Sequence, residues 1–141
     1  MKKIVTLFLL VNCITCYSQN LIKNSLKGMY FANVQIENYE TNRAINVTYY
    51  LYFGKNYATL NFSNNEFAAC EGKYFYKEKN SILYLIRDEN DGRPCPAMKD
   101  KNDEVNFPNG SEIISIKKIK NKYYIRSKRF YDKDWQLLQQ K

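Results

Sequence analysis

The sequence predicts an all-β domain, a small antiparallel up-and-down β-barrel or sandwich of about 7–8 strands with one disulfide. Three observations predict it. Short runs of alternating apolar and polar residues recur along most of the chain, separated by Gly, Asn and Lys turn signals. Aromatic residues, which suit strands, make up 16% of the 141 residues. Cys70 and Cys95 stand 25 positions apart in a chain that reads as exported, where paired thiols normally oxidise.

Export is read from residues 1–19. Met1, Lys2 and Lys3 form a basic start, IVTLFLLV (4–11) an apolar core, and Ser18 a small residue before the cleavage point, after Ser18 or Gln19. The apolar run is far short of the roughly 20 residues that span a bilayer. The expectation is a signal peptide over 1–19, a single β-rich domain over 20–141, and a periplasmic or secreted location. A lipid-anchored envelope protein is the alternative, through Cys13 or Cys16, although Asn12 and Thr15 stand where a lipoprotein signal has a small residue.

Removing residues 1–19 leaves 20 basic residues against 14 acidic ones, a net charge of +6. That balance suits an acidic protein, an acidic glycan or, as a peripheral contact, anionic lipid headgroups. Export argues against nucleic acid. Simple solvation of the surface by lysine is the competing explanation. Closing the Cys70–Cys95 loop contributes roughly 3 kcal/mol in the chain-entropy picture.

The elements follow in order. NLIKNSLK (20–27) is an entry segment with room for one helical turn. From Gly28 the period becomes two: Tyr30, Ala32, Val34 and Ile36 share one face of a strand. ENYETNRAIN (37–46) is polar and reads as a loop. VTYYLYF (47–53) and YATLNF (57–62) make a hairpin around Gly54-Lys55-Asn56, and 63–69 connects onward. GKYFYK and SILYLIR (81–87) are strands around a turn at Glu78-Lys79-Asn80. The second is apolar on both sides and so reads as central in its sheet. Residues 88–110 hold all three prolines and two of the five glycines, and form a long irregular segment of the kind that often carries function. EIISIKKI (112–119) and KYYIRS (122–127) are two more strands. The tail, with Trp135, Leu137 and Leu138, is a last strand or a short helix.

The chain contains no histidine. That removes the commonest general base and the Ser-His-Asp and Cys-His nucleophile arrangements, and makes a zinc site improbable. No GxSxG, P-loop or HExxH stretch occurs. Asp88-Glu89-Asn90-Asp91-Gly92 places its glycine fifth rather than sixth, the acidic run 100–105 has Val105 where that glycine belongs, and both lack the final glutamate of a calcium loop. The protein is therefore expected to be non-enzymatic, with no cofactor and no metal.

Three surfaces remain. Asp91, Arg93, Pro94 and Pro96 beside Cys95 suggest a stiffened partner-binding loop, since pre-organisation reduces the entropy lost on docking. Lys118, Lys120, Lys122 and Arg126 suggest a basic patch, with protection of a sheet edge as the bland reading. Tyr49, Tyr74, Tyr76 and Tyr84 suggest rings lining a ligand cavity, against the plain reading that they fill a small barrel. The layout resembles lipocalin-like domains and periplasmic lysozyme inhibitors in architecture. The Ser-Gly-x-x-Tyr-type loop of the inhibitors is absent, and Gly28-Met29-Tyr30 stands where lipocalins have Gly-x-Trp, so no family is assigned. The expected function is docking of an envelope or extracellular protein, as an inhibitor or immunity-type module. A lipocalin-like binder of a small apolar ligand and a structural envelope protein are the alternatives.

Overall fold

A computed structural model describes residues 21–38, 41, 43–63, 70–88, 90–91 and 112–141. Eight antiparallel strands follow one another in chain order and close into a barrel. They are β1 (Gly28–Asn38), β2 (Arg43–Phe53), β3 (Tyr57–Phe62), β4 (Gly72–Lys79), β5 (Ile82–Arg87), β6 (Glu112–Ile119), β7 (Lys122–Ser127) and β8 (Gln136–Gln140). Closure decides between barrel and sandwich, and leaves no open sheet edge among the described strands of the kind that templates aggregation.

The period-two pattern becomes an inside and an outside. Tyr30, Ala32, Val34 and Ile36 of β1 are buried, as are Val47, Tyr49, Leu51 and Phe53 of β2 and Ala58, Leu60 and Phe62 of β3. Their registers agree: Ile36 faces Ile45, Leu51 faces Leu60 and Ala58 faces Tyr74. Leu83, Leu85, Ile114, Ile116, Ile125 and Leu138 complete the interior from the other strands. Each such side chain contributes roughly 1.5–3 kcal/mol on burial.

Residues 20–27 were expected to hold one helical turn, and a single turn, α1 (Ile22–Ser25), is present. It caps the upper end of the barrel. Ile22 and Leu26 are buried there, the Ile22 amide donates to Glu78 Oε1 at 2.7 Å, and the Tyr123 hydroxyl donates to Ser25 Oγ at 2.7 Å. An inward-directed carboxylate thus satisfies amides that a helix of this length leaves without partners.

Several sequence readings need correction. The polar stretch 37–46 is mostly strand, because β1 runs to Asn38 and β2 begins at Arg43. Asn46 pairs across the outer face, where its Oδ1 accepts from Gln35 Nε2 at 3.1 Å, so low hydropathy at the start of β2 marks solvent exposure rather than a loop. The β4–β5 turn is Asn80-Ser81, both at positive φ (52° and 58°), as a two-residue hairpin of primed type requires. β5 is not apolar on two equal faces: Leu83, Leu85 and Arg87 are buried while Ile82, Tyr84 and Ile86 are half-buried outside. The tail is a strand, and it closes the barrel. It pairs with β7 through Tyr123↔Leu138 and Tyr124↔Leu137, and with β1 through Tyr30↔Gln140 and Phe31↔Gln139. The signal peptide expected over 1–19 lies outside the described residues, and no helix among the described residues is long and apolar enough to cross a membrane.

Candidate functional site

Tyr49, Tyr74 and Tyr76 face the interior, where their rings are packed among other side chains. Tyr49 meets Phe62 edge-on at 4.7 Å and Phe130 at 5.3 Å between centroids. Tyr76 stacks on Phe53 at 6.4 Å and donates its hydroxyl to the Gly54 carbonyl at 3.0 Å. Tyr30 bridges Phe53 and Tyr123, at 5.4 and 5.9 Å. Tyr84 belongs to the outer face, opposite Lys77 and Ser115. Three of the four tyrosines are therefore filling material by position, and the fourth cannot line the interior at all.

Burial has a pH consequence. It pushes the Tyr76 hydroxyl up to about 12, and raises Tyr30 and Tyr74 in the same direction. The unfolded chain titrates near 10. The stability these hydroxyls contribute is complete below pH 10 and is lost as the pH rises from there toward 12. Thermal midpoints should fall steeply above pH 10, and Tyr76→Phe should make the fall shallower. Parallel pH profiles for the two proteins would refute this linkage.

The basic residues divide by register. Lys117 pairs with Tyr124, Ser115 with Arg126 and Ile119 with Lys122. Lys117, Lys122 and Arg126 therefore share the outer face. Lys118 has the opposite parity, opposite Tyr123 with its Nζ 5.4 Å from that ring, and Lys120 occupies the turn at φ 54°. Edge protection does not explain any of them, since β6 and β7 each have neighbours on both sides.

Trp135 joins this face just before β8. Its ring lies 4.2 Å from Lys117 Nζ and 4.6 Å from Arg126 Cζ. Tyr124 and Leu137 are adjacent in the ladder, and Leu137 and Ile119 are exposed. The sequence reading missed Trp135 and Lys117 as patch members. Their signal was the i+2 spacing from Lys117 to Ile119 and the pairing of β6 with β7, which fixes parity only once the turn is placed.

The lower end of the barrel carries a second cluster. Arg87, 6% exposed, donates from Nη1 to the Glu71 carbonyl and from Nη2 to the Asp91 carbonyl at 2.9 Å. Its Cζ lies 5.9 Å from the Tyr74 ring, and the Tyr74 hydroxyl donates to the Cys70 carbonyl at 2.6 Å. The Asp91 carboxylate accepts from the Lys73 amide at 2.6 Å. That approach requires Gly72, at φ 125°, because a β-carbon there would sit 3.0 Å from Asp91 Oδ2. Asp91 is thus held against Gly72 and Lys73 at this end of the barrel. Cys95, Arg93, Pro94 and Pro96 lie outside the described residues, while Cys70 is fully buried.

A shallow groove of about 350 Å³ runs beside the β1–β8 seam, lined by Asn33, Val34, Gln35, Val47, Asp132 and Gln136 among others. It lies where the seam opens between Phe31↔Gln139 and the isolated bridge Ile36↔Phe130. Among the described residues no group of three or more metal-ligating side chains occurs. Comparison with protein-family models, with curated proteins and with solved structures finds no match to this chain.

Proposed function

We propose that this is an exported, non-enzymatic binding protein that docks an acidic protein partner through the outer face of β6, β7 and the start of β8. The observation that carries this reading is the stacking of Trp135 with both Lys117 and Arg126. A tryptophan in contact with two cations presents an apolar ring beside concentrated positive charge, and each such contact is worth about 0.5–1 kcal/mol at an exposed site. The stack also restricts two long basic side chains before any partner arrives, which lowers the ordering cost of docking. Tryptophan, tyrosine and arginine are the residues over-represented among interface hot spots. Tyr124, Leu137 and Lys122 extend the face in the ladder.

The 91–96 loop is assigned to the same role, pinned by a Cys70–Cys95 disulfide. Asp91 is held against Gly72 and Lys73. Cys95 follows Asp91 by four residues, a reach of roughly 13 Å at full extension, and Cys70 precedes Gly72 by two. A loss of two mass units on oxidation of the mature chain, abolished by Cys95→Ser, is the result expected of the pairing.

The function is tested by capture from an envelope extract with the mature domain and with the double variant Lys117→Glu/Arg126→Glu. A protein of low isoelectric point should be retained at least tenfold less by the variant, the scale of a hot-spot loss, with the thermal midpoint little changed. Equal retention by both proteins would remove the face from the proposal. Binding to anionic vesicles without any captured protein would replace the partner by a lipid surface.

A further inference from the structure

We propose that the upper end of the barrel, the rim around α1, docks on an anionic bilayer surface. Lysines there meet the lipid phosphates, and exposed apolar side chains enter the headgroup layer. This surface is distinct from the outer face of β6–β8, and the inference stands without the function assigned to that face.

The charges of the barrel are sorted along its axis. Three strand connections turn over at the upper end, and each brings a lysine: Lys55 between β2 and β3, Lys79 where β4 ends, and Lys120 between β6 and β7. Lys23 in α1 and Lys27 just after it join them, and all five are exposed. Carboxylates gather at the other end, where Glu71 precedes β4, Asp88 and Asp91 follow β5, and Asp132 and Asp134 precede β8. Of the described Asp and Glu side chains, Glu78 alone stands at the upper end. It is turned toward α1, where it accepts the Ile22 amide at 2.7 Å and the Lys23 amide at 3.4 Å. The connections that contain residues outside the described ones, β1–β2, β3–β4 and β5–β6, begin and end at the lower end. Residues 1–20, which lead into α1, contain no Asp or Glu.

The same end exposes apolar surface. Met29 and Tyr52 pair across β1 and β2 and are 40% and 53% exposed. Tyr57 opens β3 and Ile119 closes β6, and both are exposed as well. Tyrosine suits the headgroup layer, with an apolar ring and a polar tip, and lysine reaches past it on an apolar stem. α1 plugs this end with the buried Ile22 and Leu26, so it offers a surface and not a cavity. An acidic protein would have to bring a carboxylate to each separate turn, whereas a bilayer lays phosphate beneath all of them. The sorted charge also orients the molecule, because an anionic surface draws the lysine end in and repels the carboxylate end.

The test is co-sedimentation of the mature domain with vesicles of equal parts phosphatidylglycerol and phosphatidylcholine, against vesicles of phosphatidylcholine alone. The anionic vesicles should retain the protein, and added salt should release it. Lys55→Glu/Lys120→Glu should weaken retention by roughly tenfold or more. Arg43→Glu/Lys133→Glu, at the lower end, and Lys117→Glu/Arg126→Glu, on the outer face, have the same net charge and should each lose severalfold less. Met29→Ser/Tyr52→Ser should weaken retention while leaving its salt dependence in place. All four changes fall on side chains at the surface, and unchanged thermal midpoints would confirm that each variant is folded. Absence of retention, or equal retention by uncharged vesicles, would overturn the proposal. Equal losses in the three charge variants would make net charge rather than this end the cause, and overturn it too. A captured acidic protein lost only by Lys55→Glu/Lys120→Glu, with vesicles unbound, would give this end to a protein and not to a membrane.

Discussion

Deleting residues 136–141 is expected to abolish the cooperative unfolding transition and to drive the protein into aggregates. β8 is the one element that joins the end of the barrel to its beginning. Its ladder with β1 is short, with the pairs Tyr30↔Gln140 and Phe31↔Gln139 and a further bond from the Lys141 amide to the Met29 carbonyl at 3.0 Å. Lower down the seam continues through Ile36↔Phe130 and the Tyr131 amide on the Gln35 carbonyl at 2.7 Å. Without β8, β1 and β7 become edges, and the interior packing of Tyr30 against Tyr123 opens to water beside them. Long edges that carry apolar side chains pair with other copies. The measurements are a thermal melt followed by circular dichroism and size-exclusion chromatography. Leu138→Ala, which keeps the strand but removes a side chain that is 3% exposed, should lose about 2–3 kcal/mol and remain cooperative. A truncated chain that stays soluble and melts in one sharp transition would mean that closure is dispensable.

The alternation along β1, β2 and β3 was readable in the sequence because a barrel strand has one dry face and one wet face, and Tyr30, Ala32, Val34 and Ile36 obey the period of two without exception. The ends of the same strands were not readable. At 37–46 Ile45 packs against the core, but the residues around it in the sequence are mostly polar, and hydropathy then resembles a loop. The tail misled for a different reason. QLLQQ supplies only one buried side chain, Leu138, so five residues carry no periodicity to recognise, and only the closure of the ladder makes them a strand.

Of the candidate sites, the tyrosines were legible as strand residues but not as contacts, because whether a ring lines a void or meets another ring is decided by residues on distant strands. Tyr49 and Phe130 are 81 positions apart, and their contact has no local signal. The basic patch was half legible. Strand parity groups Lys122 with Arg126, but the register across the β6–β7 turn brings Lys117 to them, with Trp135 arriving from a third element. Arg87 was not legible as an interior residue. An arginine at the end of a strand is ordinarily a surface residue; Arg87 shares the inward parity of Leu83 and Leu85, and the Glu71 and Asp91 carbonyls that meet it there come from segments its own strand does not reveal.

Tyr49→Ala is expected to destabilise the domain by about 3–5 kcal/mol, a large share of the roughly 5–15 kcal/mol available to a domain of this size. The ring is fully buried and joins Phe62 of β3 to Phe130 at the far side of the lower barrel, so its removal takes away a contact that no neighbouring strand can replace. The cavity would be bounded by Phe62 and Phe130, whose backbones are fixed by the Tyr49↔Phe62 and Ile36↔Phe130 pairs, and little collapse can relieve it. Tyr49→Phe keeps the ring and should cost no more than about 1.5 kcal/mol, the net worth of a hydroxyl's hydrogen bond. Tyr84→Ala, on the outer face, should cost far less than Tyr49→Ala although both tyrosines sit in strands. Chemical denaturation of the three variants decides the matter. If Tyr49→Ala and Tyr84→Ala were equally mild, the lower interior would be loosely filled, and the aromatic rings would be free to line a ligand cavity after all.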